Sequence, residues 1–224
     1  MDRIANEEIE ARLAGRAFFY QLAHTVFSGE PDDRLFDALA SEPCRDVLVE
    51  MSADCSGMSA LSVFCDSLVQ EDVDRRALLD AALSDYNRVI AGLGGNRDSH
   101  PWESAYTSSK KLLFQVETLE VRNAYRAFGY LPQMYPKVAD DHIALECAFL
   151  AQLAQKQLDA EGEEFQRLAE GQLGFLRDHL LKWIDQYVFD IRNDAPGSLY
   201  ETVASALASF ARADEEWLTV LVDG

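Results

Sequence analysis

Apolar residues recur at helical spacing along most of the chain and show no sustained apolar–polar alternation. That predicts an all-α protein of about nine to twelve helices, folded as a single compact domain. Leu13, Ala17, Tyr20 and Phe27 line one face of a first helix, and Phe18, Phe19, Leu22 and Val26 fill a second. A helix apolar nearly all round from Ala17 to Phe27 belongs deep in a core, and His24 within it reads first as a hydrogen-bonded core histidine. Asn6, followed by Glu7 and Glu8, reads as its cap; Gly29 and Pro31 end it. Shorter helical pieces are expected around 32–40, 42–51 and 60–70. Asp74 then caps a stripe of Leu79, Leu83, Tyr86 and Ile90 that stops at Gly92. A helix over 117–128 closes at Gly129. From Glu163 to Arg192 apolar residues keep helical spacing for so long that a kink is expected near His179–Trp183. Asn193–Gly197 breaks the pattern, and Ser198 with Glu201 forms a capping box into the last helices, carrying Val203, Leu207, Phe210 and Trp217.

One stretch departs from this regularity. In Tyr130–Leu153, Pro132 and Pro136 exclude regular helix from the first half, whereas the pattern from Asp140 onward is helical without a breaker. Ile143, Cys147, Leu150 and Ala154 form its inner stripe, with His142, Glu146 and Phe149 on a neighbouring face. The expected organisation is an N-terminal lobe over 1–128, a hinge connector over 129–139 and a C-terminal lobe over 140–224, all within one domain.

Charge narrows the partners. The chain's 224 residues carry 39 acidic and 20 basic side chains, a formal charge of −19. That field repels nucleic acid and anionic membranes and favours cationic ligands. Cys44, Cys55, Cys65 and Cys147 lack the spacing of a zinc or redox motif and read as buried reduced thiols. No run of 18 apolar residues is present and the N-terminus does not look like a secretory signal, so a cytoplasmic protein without membrane insertion is expected.

Chemistry concentrates at the entry to the 140s helix. Asp140, Asp141 and Glu146 are acceptors for guanidinium or ammonium groups, and aromatic neighbours could receive an apolar stretch of the same ligand. The plainer account is that Asp140 and Asp141 cap the helix while His142 and Glu146 form an exposed i,i+4 pair. Asp141, His142 and Glu146 could also offer mixed metal ligands, although neither a doubled Glu-x-x-His nor an HExxH motif occurs. The glycine-rich GLGGN at 92–96 lacks the Lys-Ser/Thr end of a P-loop, and no G-x-S-x-G nucleophile elbow occurs. In PWESAY (101–106), Trp102 and Tyr106 share a face, as a packing pair or as a ligand platform.

PWESAY, LLF…ETLEVRNAYRAFGY (112–130), ADDHIALECAFLAQL (139–153) and FLRDHLLKW (175–183), in that order, resemble the TorD/DmsD family of cytoplasmic chaperones for molybdoenzyme maturation. The resemblance implies an all-helical, non-enzymatic protein without cofactor or metal. Such a protein binds the twin-arginine signal peptide and the apo form of a Tat-exported molybdenum oxidoreductase, and delays export until the cofactor is inserted. The family's Asp-His pair falls on Asp141 and His142, its PWES residues on Trp102 and Glu103, and an N-terminal tyrosine on Tyr20. With Tyr106 and Glu146 these make up the expected peptide site. Where family members commonly carry Glu-Pro before Asp-His, this chain has Val138 and Ala139, with Pro136 left to make the turn. A monomer or a domain-swapped dimer is expected. Two other classes stay open: a metal- or nucleotide-dependent hydrolase using Asp141, His142 and Glu146, and a structural interaction module whose acidic surface serves solubility.

Overall fold

The computed structural model describes residues 3–93, 97–108, 116–132 and 138–223. Eleven α-helices are present among them: α1 (Arg3–Ser28), α2 (Asp33–Ala40), α3 (Glu42–Asp54), α4 (Ser59–Ser67), α5 (Arg75–Asp85), α6 (Ser104–Thr107), α7 (Val116–Ala127), α8 (Ile143–Leu158), α9 (Gly162–Phe175), α10 (Leu181–Asp194) and α11 (Leu199–Asp223). No strand occurs among the described residues, only an isolated antiparallel bridge between Trp102 and His142. The all-α expectation holds.

Local chemistry accounts for several boundaries. Asp32, Ser41 and Asp74 accept hydrogen bonds from the backbone N–H groups of Leu35, Cys44 and Ala77, capping α2, α3 and α5. Gly129, at φ +65°, lets Tyr130 N–H return to the carbonyl of Tyr125 at 2.9 Å and closes α7. The Ser198 hydroxyl accepts from Glu201 N–H at 3.0 Å, while the Glu201 carboxylate takes Gly197 N–H instead of Ser198 N–H. One expectation needs correction. Helix α1 begins at Arg3, so Asn6 lies inside it and is not its cap. The irregularity expected near His179–Trp183 is a π turn over Leu176–Leu180, which joins α9 to α10, inserting one residue and changing the phase of the buried stripe.

At the centre, α8 is buried on nearly every side, with Phe149, Leu150 and Cys147 among its inaccessible residues. Helix α1 packs along it antiparallel. His24, near the end of α1, bonds the carbonyl of Ala144 at the start of α8 (2.8 Å), and Arg16 reaches Gln157 at its end. One core cluster includes residues from both sides of the 129–139 connector. Within it lies a buried polar clamp. The Arg16 guanidinium donates to both carboxylate oxygens of Asp214 (2.5 and 3.2 Å), to Gln157 Oε1 (3.2 Å) and to Gln172 Oε1 (2.8 Å). Gln172 donates to Gln157, and the Tyr20 hydroxyl donates to Asp214 at 2.8 Å. Helices α1, α8, α9 and α11 are thereby tied by a charged pair with no solvent exposure. The four cysteines are buried and free.

Candidate functional site

The PWES segment is held from both ends. Asp194, at the end of α10, accepts from Asp98 N–H, Ser99 N–H and Ser99 Oγ–H (3.1, 2.8 and 2.6 Å), anchoring the chain just before Pro101. Beyond it, Ile143 N–H donates to the carbonyl of Pro101 (2.9 Å) and Glu103 N–H to the carbonyl of Asp141 (3.0 Å). This two-bond bridge docks PWES on the entry to α8.

Asp141 is the hub of the junction. Its carboxylate accepts from Ser104 N–H at the start of α6 and from Thr118 Oγ–H on α7, each at 3.0 Å. One buried side chain thus joins α6, α7 and the start of α8. Asp140 adds a second tie to α7: its carboxylate takes Arg122 Nε–H at 2.6 Å, and its carbonyl takes the Tyr125 hydroxyl at 2.9 Å. Neither aspartate caps α8. His142 does, its Nδ1 accepting from Ala144 N–H at 3.1 Å while its ring stands edge-on to Trp102. An imidazole nitrogen that accepts must be unprotonated, and burial together with the neighbouring His24 depresses the His142 pKa to about 4.

Behind this lies a second layer. Glu103 and His179 meet at 3.0 Å, with His179 delivered by the π turn. Tyr106 stacks on Trp183 at 5.5 Å, and its hydroxyl accepts from His100 N–H. The Trp183 indole N–H reaches Glu146 Oε2 at 3.4 Å, and Glu146 Oε1 has no hydrogen-bond partner among the described residues. Burial first, then the nearby Glu103 and Asp141 carboxylates, pushes the Glu146 carboxyl well above its ordinary pKa. Glu103 is raised too, mainly by burial, against the lowering influence of His179.

Six of the seven expected site residues therefore gather here: Trp102, Glu103, Tyr106, Asp141, His142 and Glu146. Tyr20 does not; it belongs to the Arg16–Asp214 clamp, where burial and Asp214 keep its hydroxyl protonated as a donor. The expected presentation to a ligand also differs. Asp140, Asp141 and Glu146 are 1%, 0% and 0% exposed, so in this conformation they receive donors from the protein and are closed to a partner's arginines. His142 and Glu146 are likewise not an exposed pair. The Arg16 clamp carried no signal in the sequence, and Thr118 and Arg122 lay within a resembling segment without an assigned role. His179 and Trp183 lay within a resembling segment but had no role assigned. Pro136, expected to make the turn before Asp-His, and Gly94–Asn96 of GLGGN lie outside the described residues.

Chemically this is a docking junction. Asp141 spends both oxygens on positioning, His142 Nδ1 is spent on the cap, and no group of three His, Cys, Asp or Glu side chains among the described residues is placed to hold a metal. Nor is any helix long and apolar enough to cross a membrane, among the described residues.

The chain is similar to known proteins over nearly its whole length. The model of the family described as "Nitrate reductase delta subunit" matches residues 53–188, a range that contains PWES, the Asp-His junction and the π turn. The chain is 24% identical over 227 residues to a protein named "Chaperone protein TorD" from Shewanella pealeana, covering 97% of this chain and 96% of that protein. It is 22% identical over 213 residues to a protein of the same name from Vibrio parahaemolyticus, covering 95% and 98%.

Proposed function

Because the chain belongs to the nitrate reductase delta subunit family, with TorD-type members that are chaperones and not enzymes, we propose that it is a cytoplasmic chaperone for a Tat-exported molybdenum oxidoreductase. It binds the twin-arginine signal peptide and apo form of that client and delays export until the cofactor is in place. The observation that carries this reading is the end-to-end similarity to chaperones of that name, 97% of one chain against 96% of the other. The charge of −19 supports it, since a doubly arginine-marked leader is a cationic ligand. The hydrolase alternative falls with the family.

In this mechanism Asp141 and His142 position the binding surface and do not themselves touch the peptide. Asp141 sets where PWES and α7 stand relative to α8, the 129–139 connector acts as the hinge between the lobes 1–128 and 140–224, and client binding is the load on that hinge. The same connector would permit a domain-swapped dimer beside the monomer.

The test is a calorimetric titration of a synthetic leader peptide, two consecutive arginines followed by an uncharged apolar run, with an Ala-Ala control. The arginine peptide should bind about tenfold more tightly, and its advantage should shrink as salt rises. Asp141→Ala should weaken binding as well as stability. Equal and salt-insensitive binding of both peptides would sink the proposal; an Asp141 variant that loses stability but keeps full affinity would leave the junction a structural element only.

A further inference from the structure

Since the junction carboxylates are closed, a cationic and apolar ligand needs another surface. Such a surface lies on the far part of α1. A groove of about 750 Å³ opens between α1, α3 and the end of α11. Its floor is Phe18, Met51, Phe210 and Trp217, of which Phe18, Met51 and Trp217 are only half-buried. Half-exposed aromatic and thioether side chains make an adaptable apolar floor. Two exposed carboxylates, Glu8 from α1 and Glu50 from α3, stand on its rim. The Arg12 guanidinium is drawn inward, 5.9 Å from the ring centres of both Phe210 and Trp217.

A second observation concerns Gly15, in the middle of α1 and on the groove wall. A glycine there costs the helix about 1 kcal/mol relative to alanine, and close internal packing does not explain it: a Cβ would meet nothing within 4 Å. Gly171 is the contrast, since a Cβ there would run into the Phe128 ring. An absent side chain facing open space widens the groove and lets an incoming chain approach the helix backbone.

We infer that the α1–α3–α11 groove is where the twin-arginine leader docks, its arginines at Glu8 and Glu50 and its apolar run along Phe18, Met51 and Trp217. The inference rests on the function proposed above and places its contact surface away from the Asp141 junction. It divides the work: the groove holds the peptide, and the junction holds the fold that shapes the groove.

The experiment uses the full chain and the same pair of peptides. Gly15→Phe projects a ring into the empty space and improves on a helix-interior glycine, so it should fold, as circular dichroism and a thermal melt will show, and weaken arginine-peptide binding at least tenfold. Glu8→Gln with Glu50→Gln leaves the floor intact and should reduce the preference for Arg-Arg over Ala-Ala severalfold and flatten the salt dependence. Wild-type binding that all these variants retain overturns the groove and leaves the chaperone reading standing. No binding by the wild type overturns both. An unliganded dimer that Gly15→Phe dissolves, with peptide affinity unchanged, assigns the groove to a second copy of the chain and overturns the proposal.

Discussion

Two buried polar clusters serve this fold in opposite ways. In the clamp, each nitrogen of the Arg16 guanidinium, each carboxylate oxygen of Asp214 and both polar side-chain atoms of Gln157 and Gln172 have partners. A full charge is buried there because it is fully compensated. At the junction, Asp141 is satisfied, yet Glu146 beside it has one long bond and one oxygen without a partner among the described residues. Burial there pushes its carboxyl pKa well up. The clamp behaves as a rivet through four helices, whereas the junction holds an under-satisfied carboxyl whose titration pH can read. Satisfied networks specify a structure; under-satisfied ones are where a structure is poised to change.

The largest break in this comparison comes from the clamp. Asp214→Ala leaves the Arg16 charge buried without its counter-ion and orphans the Tyr20 hydroxyl. Urea unfolding should show a loss of about 3–5 kcal/mol. Replacing both partners, Arg16→Met with Asp214→Leu, should recover part of it, because no unpaired charge remains and Gln172 still donates to Gln157, while the Tyr20 hydroxyl and Gln172 Oε1 stay without their partners. A double variant as unstable as Asp214→Ala would mean that the ion pair itself, and not the avoidance of a lone charge, holds α1 to α11.

The second prediction moves to the junction. Between pH 6.5 and about 4 an unfolded histidine takes up a proton that folded His142 refuses. Stability is therefore complete above pH 6.5 and falls as pH drops through that window, by about 3 kcal/mol in all. His142→Asn preserves a side-chain acceptor for the Ala144 N–H cap but cannot titrate. Its stability should fall less than wild type from pH 6.5 to 4, and parallel curves would remove His142 from the account.

The same contrast explains what the sequence could disclose. The junction was legible because its ionisable residues, 140 to 142 and 146, are neighbours in the chain, and because prolines and helical periodicity meet there. The clamp was not: Arg16 finds its partners 141, 156 and 198 residues away, and nothing in its local spacing separates it from a surface arginine. Helix positions followed from apolar periodicity, and even the irregularity near His179 was foreseeable, though its π geometry and the His179 contact with Glu103 were not. The cap was misplaced by one or two residues for a tertiary reason. The PWES bridge holds His142 extended, at φ −77° and ψ 136°, so His142 takes the capping position that Asp140 and Asp141 would hold on propensity alone. Glu146 looked accessible because it lies off the inner stripe of α8. The packing of neighbouring elements, Trp183 among them, against the other faces of α8 buries it.

The last test discriminates most finely. Glu146 is faced by Trp183 from α10, by Glu103 and Asp141 across the junction, and by Tyr125 from α7. With its folded pKa raised above the unfolded value, the folded state binds the extra proton, so this group's stabilising contribution is complete below about pH 4.5 and is lost as pH rises toward the folded value. Glu146→Gln mimics the neutral acid and has no proton to lose. It should match wild type near pH 4.5 and gain on it by up to about 1.4 kcal/mol for each pH unit above, until wild-type Glu146 ionises in the folded state. Urea unfolding at pH 4.5, 6 and 8 reads this directly, and Trp183 fluorescence reports the local change. If the two proteins keep a constant difference across that range, Glu146 is ionised and paired, and the junction is as fully compensated as the clamp. If the gap opens, the junction holds a spare proton within one helical turn of the His142 cap, and a buried cluster that the clamp could not tolerate is kept at the position where PWES, α7 and α8 must fit together.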